Sequence, residues 1–433
     1  MHSAWGAKWA DYRNLAVAFA LVYDQREPSF WPHRQVQPSA VPRMDEDVTQ
    51  RFGYYVQAND AGRLDTDLRR ATPEQLKFVV DAPIERAELQ WATKHVKAPR
   101  DHFERAFDQV NYDHRRVEKG AFMWSNGSYR LGNIELWGGI CTDQAYFASM
   151  AGKARGIPTI YFAGQGTDGG HAWFGFLKRN GSWNLDAGRY ENQNFTVGQA
   201  LDPQTWLPIT DHELAYLSGK TARAPGQEAA QGDLAMAELF SRRGDSAQAL
   251  AAAESALHAA PGLVAAWEAK EEILETRGDS AGLRELYTRA LEQFRRHEDL
   301  RVRYQTRLAA AEREGGNSAA ASNIESRMVR ENRRQRADLS AGVASDTLSR
   351  LLESGDYDRA GHEYRALLLK LGRTGGGNLF YGVVRPYVET LRADGKTAEA
   401  QRALRQARQA MPVEPGSILD RDFKELESAV SRQ

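Results

Sequence analysis

The feature that most constrains the fold is a spacing. In the second half a glycine-led segment recurs five times: 244-GDSAQA-249, 278-GDSAGL-283, 316-GNSAAA-321, 355-GDYDRA-360 and 395-GKTAEA-400. Successive starts lie 34, 38, 39 and 40 residues apart. Ala256, Ala290 and Ala407 each stand twelve residues after such a glycine, and Tyr287 and Tyr364 stand nine after. Pro261 and Pro412 follow at seventeen. A period of this length predicts two antiparallel helices per unit. Glycine allows the tight turn, a small residue lets helices approach, and proline ends the second helix.

These residues resemble the tetratricopeptide repeat. The likeness is good in units one, two and five. It is degenerate in three and four, where Met328 and Leu367 replace the small residue. The resemblance implies an all-α solenoid over 234–433, with a concave face that suits a protein partner. A purely supporting solenoid is the alternative. Upstream, 218-SGKTARAPGQEAAQGD-233 is polar and contains glycine and proline, and reads as a linker.

The first half has a different character. Nine of ten tryptophans fall at or before Trp206. Residues 1–120 read as a mainly helical region. Segment 10-ADYRNLAVAFALVYD-24 is apolar on nearly all sides, so it is expected to be buried. Further helices are expected over 45–57 and after 72-TPEQL-76, with Thr72 as N-cap and Pro73 in the first turn. Over 121–217 the pattern changes to one helix and then short strands.

That helix follows the only cysteine of the chain, in 139-GICTDQAYFASMAGKARGIP-158. It is expected from about Thr142 to Ala154, with a buried side at Ala145, Ala148, Met150 and Ala151. Gly156 and Pro158 stop it. Strands are expected at 159-TIYFA-163, 171-HAWFGFL-177 and 182-SWNLDAG-188. Cys141 thus stands at a helix N-terminus, where free amides and the helix dipole favour a thiolate. A nucleophile needs a base and a group that orients the base. His171 opens the second strand and Asp186 lies on the third. With a four-residue loop, Lys178 to Gly181, Asp186 would oppose Trp173 and share a face with His171. Taken singly each residue has a plainer reading: Cys141 as a buried small residue, His171 as a loop cap, Asp186 as a turn residue. Asp143, in the first helical turn, reads as structural.

Together GICTDQA, ARGIP, GGHAWFGF and WNLD, from Gly138 to Tyr190, resemble the transglutaminase-like superfamily, which uses papain-like cysteine chemistry. The resemblance implies an α+β catalytic core with a helical N-terminal region, and a catalytic triad of Cys141, His171 and Asp186. Cys141 would attack the carbonyl of a protein or peptide amide to give a thioester. His171 would move protons and Asp186 would hold its ring. The Cys141 amide would be one oxyanion donor. For the second donor or the pocket wall the candidates are Trp137, Trp124 and Tyr129, with Trp173 as core or wall. Transamidation and hydrolysis both stay open, and a non-catalytic interaction scaffold is the rival. Two departures stand out: Gly175 where the family strand has Glu, and 186-DAGRY-190 where Asp is usually followed by Pro-Thr.

Other readings are weaker. Gly164, Gly166 and Gly169 match G-x-G-x-x-G, but a strand-like run follows instead of the helix a dinucleotide site needs. Ten scattered histidines suggest no metal site, and no cofactor is expected. A net charge of −1 implies neither nucleic acid nor membrane as partner. The run 16-AVAFALVY-23 is too short to span a bilayer, and no signal peptide is visible, so a cytoplasmic location is expected. Segment 188–214 reads equally as a wrap over the cleft or a packed extension.

Overall fold

The computed structural model describes Gly6 and residues 8–166, 169–189, 197–219 and 226–431. The chain divides into two compact units, Met1–Gly164 with Gly170–Asp211, and Gln165–Gly169 with His212–Gln433.

The first unit combines helices with one small sheet. Its longer helices are α1 (Arg13–Tyr23), α2 (Val48–Asp60), α3 (Pro73–Val80), α4 (Arg86–His95), α5 (Leu131–Trp137) and α6 (Cys141–Ala154). Thr72 caps α3 as expected. Its hydroxyl accepts the Gln75 amide, and the Gln75 side chain accepts the Thr72 amide. The apolar run at the start does bury: Leu15, Ala16, Ala18, Phe19 and Val22 of α1 are all in the core.

Helix α6 is more central than its sequence suggested. Every residue from Thr142 to Ala154 is buried, not one side only. Its alanines and Gly152 let neighbours approach closely. A Cβ at Gly152 would sit 2.3 Å from Thr159 Cγ2. Lys153 is tolerated because its ammonium has three acceptors: Asp81 Oδ1 at 2.5 Å, Phe78 O at 2.9 Å and Thr159 O at 2.6 Å.

The sheet contains β1 (Thr159–Gln165), β2 (Gly170–Leu177), β3 (Trp183–Ala187), β4 (Gln199–Leu201) and β5 (Pro208–Thr210), in the order β3-β2-β1-β4-β5. The β2/β3, β1/β4 and β4/β5 pairs are antiparallel. A strand follows the glycine loop, so the dinucleotide reading fails for want of a helix. Segment 188–214 supplies β4 and β5; its residues 190–196 lie outside the described residues. On β2 the side chains alternate. Ala172, Phe174 and Phe176 join the core around α6, and Phe103 packs on both phenylalanines. His171 and Trp173 stack with each other, 5.8 Å apart.

The second unit is helical beyond its short Gln165–Gly169 segment. After α7 (Asp211–Ser218) come α8 (Gln227–Arg242), α9 (Ser246–Ala259), α10 (Val264–Thr276), α11 (Ser280–Gln293), α12 (Glu298–Glu314), α13 (Ser318–Asn332), α14 (Ala337–Glu353) and α15 (Tyr357–Leu371). Then follow α16 (Arg385–Ala393), α17 (Thr397–Ala410) and α18 (Ile418–Ser431). The expected linker is therefore helical from Gln227 onward. All five repeat glycines adopt positive φ at the turn between paired helices, and Asp245, Asp279 and Asp356 cap the second helix. Ala256, Ala290 and Ala407 are fully buried. Met328 and Leu367, which replace them in the degenerate units, are buried too, so those units keep the pairing with a bulkier contact. Among the described residues no helix is long and apolar enough to cross a membrane.

Candidate active site

Cys141 is the first residue of α6. The chain reaches it through Gly138 and Gly139, which run beside the 111–113 segment. Gly139 N donates to Asn111 O at 2.9 Å, and Asp113 N donates to Gly139 O at 2.8 Å. Gly139 has to be glycine, because a Cβ there would sit 2.4 Å from Asp143 Cβ. Asp143 then locks the turn. Its carboxylate accepts from Ile140 N at 2.8 Å, Arg116 Nη1 at 2.7 Å and the Tyr129 hydroxyl at 2.7 Å. Burial raises its pKa, against the pull of Arg116. Asp143 thus organises the helix start.

A polar chain continues behind it. The Gln35 amide donates to His33 Nδ1 at 3.3 Å, so His33 carries its proton on Nε2 and donates to Tyr129 Oη at 2.9 Å. The Gln35 side chain accepts the Thr142 hydroxyl at 2.8 Å. Burial drives the His33 pKa down to about 3, so the ring is neutral.

The Cys141 sulfur lies against the main-chain amide of Ala172, the residue after His171. Burial pushes the thiol up to about 11, and Asp143 adds to that. The amides of Ala172, Thr142 and Cys141 pull the other way without overcoming it. The helix start therefore does not make a resting thiolate: desolvation outweighs the amides.

His171 is oriented, but not by Asp186. Its Nε2 lies 2.8 Å from Gly188 O. A carbonyl can only accept, so Nε2 carries the proton and Nδ1 is the basic nitrogen. Burial lowers the His171 pKa, the Gly188 contact opposes this, and the Arg189 charge lowers it further. Gly188 has φ +87°, and a Cβ there would meet the Phe107 ring at 2.6 Å.

The position of Asp186 corrects the expected register. Leu177 pairs with Trp183, so the loop has five residues, not four. Phe176 pairs with Asn184 and Phe174 with Ala187, so Leu185 and Asp186 both face Gly175 in a bulge. Asp186 moves two residues away from its expected partner Trp173, about 7 Å along the strand. Its carboxylate is 66% exposed and accepts from Arg189 Nη1 at 2.7 Å. Arg189 also pairs with Asp211 and lies over the Trp173 ring, 4.1 Å from its centroid.

The remaining candidates separate cleanly. Trp124 donates to Gly127 O at 2.9 Å, Tyr129 to Asp143 and Trp173 to Leu185 O at 2.9 Å, so the three donors are already engaged. Trp137 is 60% exposed, and its neighbour Leu136 is 73% exposed. Trp137 is thus a surface residue ahead of Gly138. Cys141 and the main chain at His171 come together; Asp186 stands apart.

Sequence reading missed Gly188, Arg189 and Tyr161. The first two lie in the DAGRY departure, which was the available signal. The third follows from strand alternation: Thr159 faces α6, with its hydroxyl donating to Ser149 O at 2.7 Å, and Tyr161 shares that face.

Among known proteins no family model matches the chain, and no curated protein matches it.

Proposed function

We propose that the first unit is a transglutaminase-like thiol acyl-transfer domain in which Cys141 attacks a protein or peptide amide. The carrying observation is the placement of Cys141 at the start of a buried helix, with the Ala172 amide on its sulfur and the adjacent His171 held in its Nδ1-basic form by Gly188. In this reading the thiolate forms only during attack, as His171 takes the thiol proton. The ring has to swing toward the sulfur, a closure that such sites often complete only with substrate bound. Gly188 O replaces Asp186 as the orienting acceptor. A neutral carbonyl stabilises an imidazolium less than a carboxylate does, which suits a weak base rather than a preformed ion pair. Either water or an amine can then take the acyl group.

The helical repeats would recruit the substrate or a partner. A cavity of about 260 Å³ among α12–α15 is lined by Arg313, Arg350, Arg359, Lys370, Glu325 and Glu363, a charged setting for a protein partner.

The test is acylation by p-nitrophenyl acetate. A burst of one p-nitrophenolate per chain is expected, lost in Cys141→Ala and strongly slowed in His171→Ala. A His171→Ala variant that acylates at the parent rate refutes the reading. A second reading, a non-catalytic scaffold, is favoured by one observation: Asp186 is exposed and given to Arg189. It predicts no burst in the parent protein.

A further inference from the structure

Tyr161 carries a buried hydroxyl that the chemistry above leaves unused. It lies on β1, on the face that packs against α6. Its ring stacks on His33 with centroids 5.7 Å apart, and His33 in turn packs edge-on against Tyr146 of α6. His33 is fixed in turn by Gln35 and Tyr129, so the Tyr161 ring rests on a rigid surface. Its hydroxyl oxygen is buried and has no hydrogen-bond partner among the described residues. A buried phenol without a partner is costly and calls for an explanation. The groups whose charge reaches this hydroxyl are Cys141 and Asp143.

The three engaged donors, Trp124, Tyr129 and Trp173, are fixed on other acceptors. Tyr161 differs in having a proton to donate at the sulfur end of α6. Burial, Cys141 and Asp143 all raise its pKa well above the ordinary phenol value, so it stays protonated across the working range.

We propose that the Tyr161 hydroxyl is a catalytic residue, the side-chain donor to the oxyanion that forms when Cys141 attacks an acyl carbonyl. This rests on the thiol acyl-transfer reading. As the sulfur pair forms the S–C bond, the thiol proton passes to His171 and the carbonyl π pair moves onto oxygen. Tyr161 O–H and the Cys141 amide hold that oxygen. When the C=O bond re-forms, the leaving nitrogen of the amide departs with its bonding pair and takes the proton from His171, and the acyl thioester remains; p-nitrophenolate leaves without needing that proton. Among the described residues the resting hydroxyl has no partner, and in this proposal its acceptor exists only during the reaction. Such preorganised donors cost no rearrangement in the step itself.

The test compares acylation with alkylation in full-length protein. Acylation by p-nitrophenyl acetate passes through an oxyanion; alkylation by iodoacetamide does not. In Tyr161→Phe the acylation rate is expected to fall about 10²-fold or more. The alkylation profile should keep its midpoint, and the melting temperature should not drop, because the lost hydroxyl has no partner among the described residues. Incorporation of 3-fluorotyrosine at 161, which keeps the donor, should restore acylation. If the parent acylates and Tyr161→Phe slows it less than threefold, the assignment is overturned while the thiol reading stands. If the parent gives no Cys141-dependent burst, both fall. Should Tyr161→Phe melt early, the fluorotyrosine form decides: acylation faster than the parent's, as the lower hydroxyl pKa makes a stronger donor, supports the assignment, and acylation at or below the parent rate overturns it.

Discussion

Asp143→Asn should weaken the fold and sharpen the thiol at the same time. The carboxylate accepts three donors: Ile140 N, Arg116 Nη1 and Tyr129 Oη. Asparagine keeps one acceptor oxygen and turns an NH2 toward at least one of those donors. An orphaned buried donor costs about 1–3 kcal/mol. Arg116 also loses its anion, and breaking one side of a buried ion pair costs about 3–5 kcal/mol. The carbonyls of Ala121 and Phe122, at 3.2 and 2.8 Å from the guanidinium, keep the total near the low end. A loss of about 3 kcal/mol is expected, or about 1 M in urea midpoint for a slope near 3 kcal/mol/M. Tryptophan fluorescence reads this unit selectively, since nine of ten tryptophans lie at or before Trp206. The second readout has the opposite sign. Asp143 raises the Cys141 pKa, so its neutralisation should move the alkylation midpoint down from about 11 toward the ordinary thiol value. A urea shift below about 0.3 M, with the alkylation midpoint unmoved, would refute the account of Asp143 as the lock of the helix start.

Two further outcomes follow from the same geometry. Burial takes the His33 pKa from 6.5 when unfolded to about 3 when folded, so the unfolded chain binds the extra proton between those values. Stability from this group is complete above pH 6.5 and is lost as pH falls toward 3, by at most roughly 4–5 kcal/mol at 1.36 kcal/mol per pH unit. His33→Asn should flatten that slope in urea titrations across the window, and an unchanged slope would count against the buried neutral ring. Gly139→Ala places a Cβ 2.4 Å from Asp143 Cβ and should cost about 1–3 kcal/mol by overpacking; a urea midpoint equal to the parent's would show that the turn has room.

How much was legible depended on the range of each interaction. The helix pairs of the second half could be read because each depends on a local turn. Gly244 and Asp245 determine a positive-φ turn and a cap within a few residues, wherever the pair ends up. Even where Met328 or Leu367 breaks the small-residue pattern, the spacing of the glycines carries the period. The capping of α3 by Thr72 was legible for the same reason. The start of α6 at Cys141 and the strands around His171 and Asp186 also followed from local signals.

What the sequence determined by itself was therefore the helix pairing of the second half, the order α6-β1-β2-β3 and the placing of Cys141 ahead of a helix, because those are local preferences of a few residues; α5, β4, β5 and α7 were not foreseen. Tertiary structure decided the rest. A five-residue loop and a bulge at Gly175, neither visible in composition, carried Asp186 two residues away from its expected partner Trp173, while the Gly188 carbonyl stands on the imidazole. Helix α6 proved to be buried on every side, and that desolvation raised the thiol where the helix start alone would have lowered it. Register and burial are sums over distant neighbours, and no short stretch of sequence contains them.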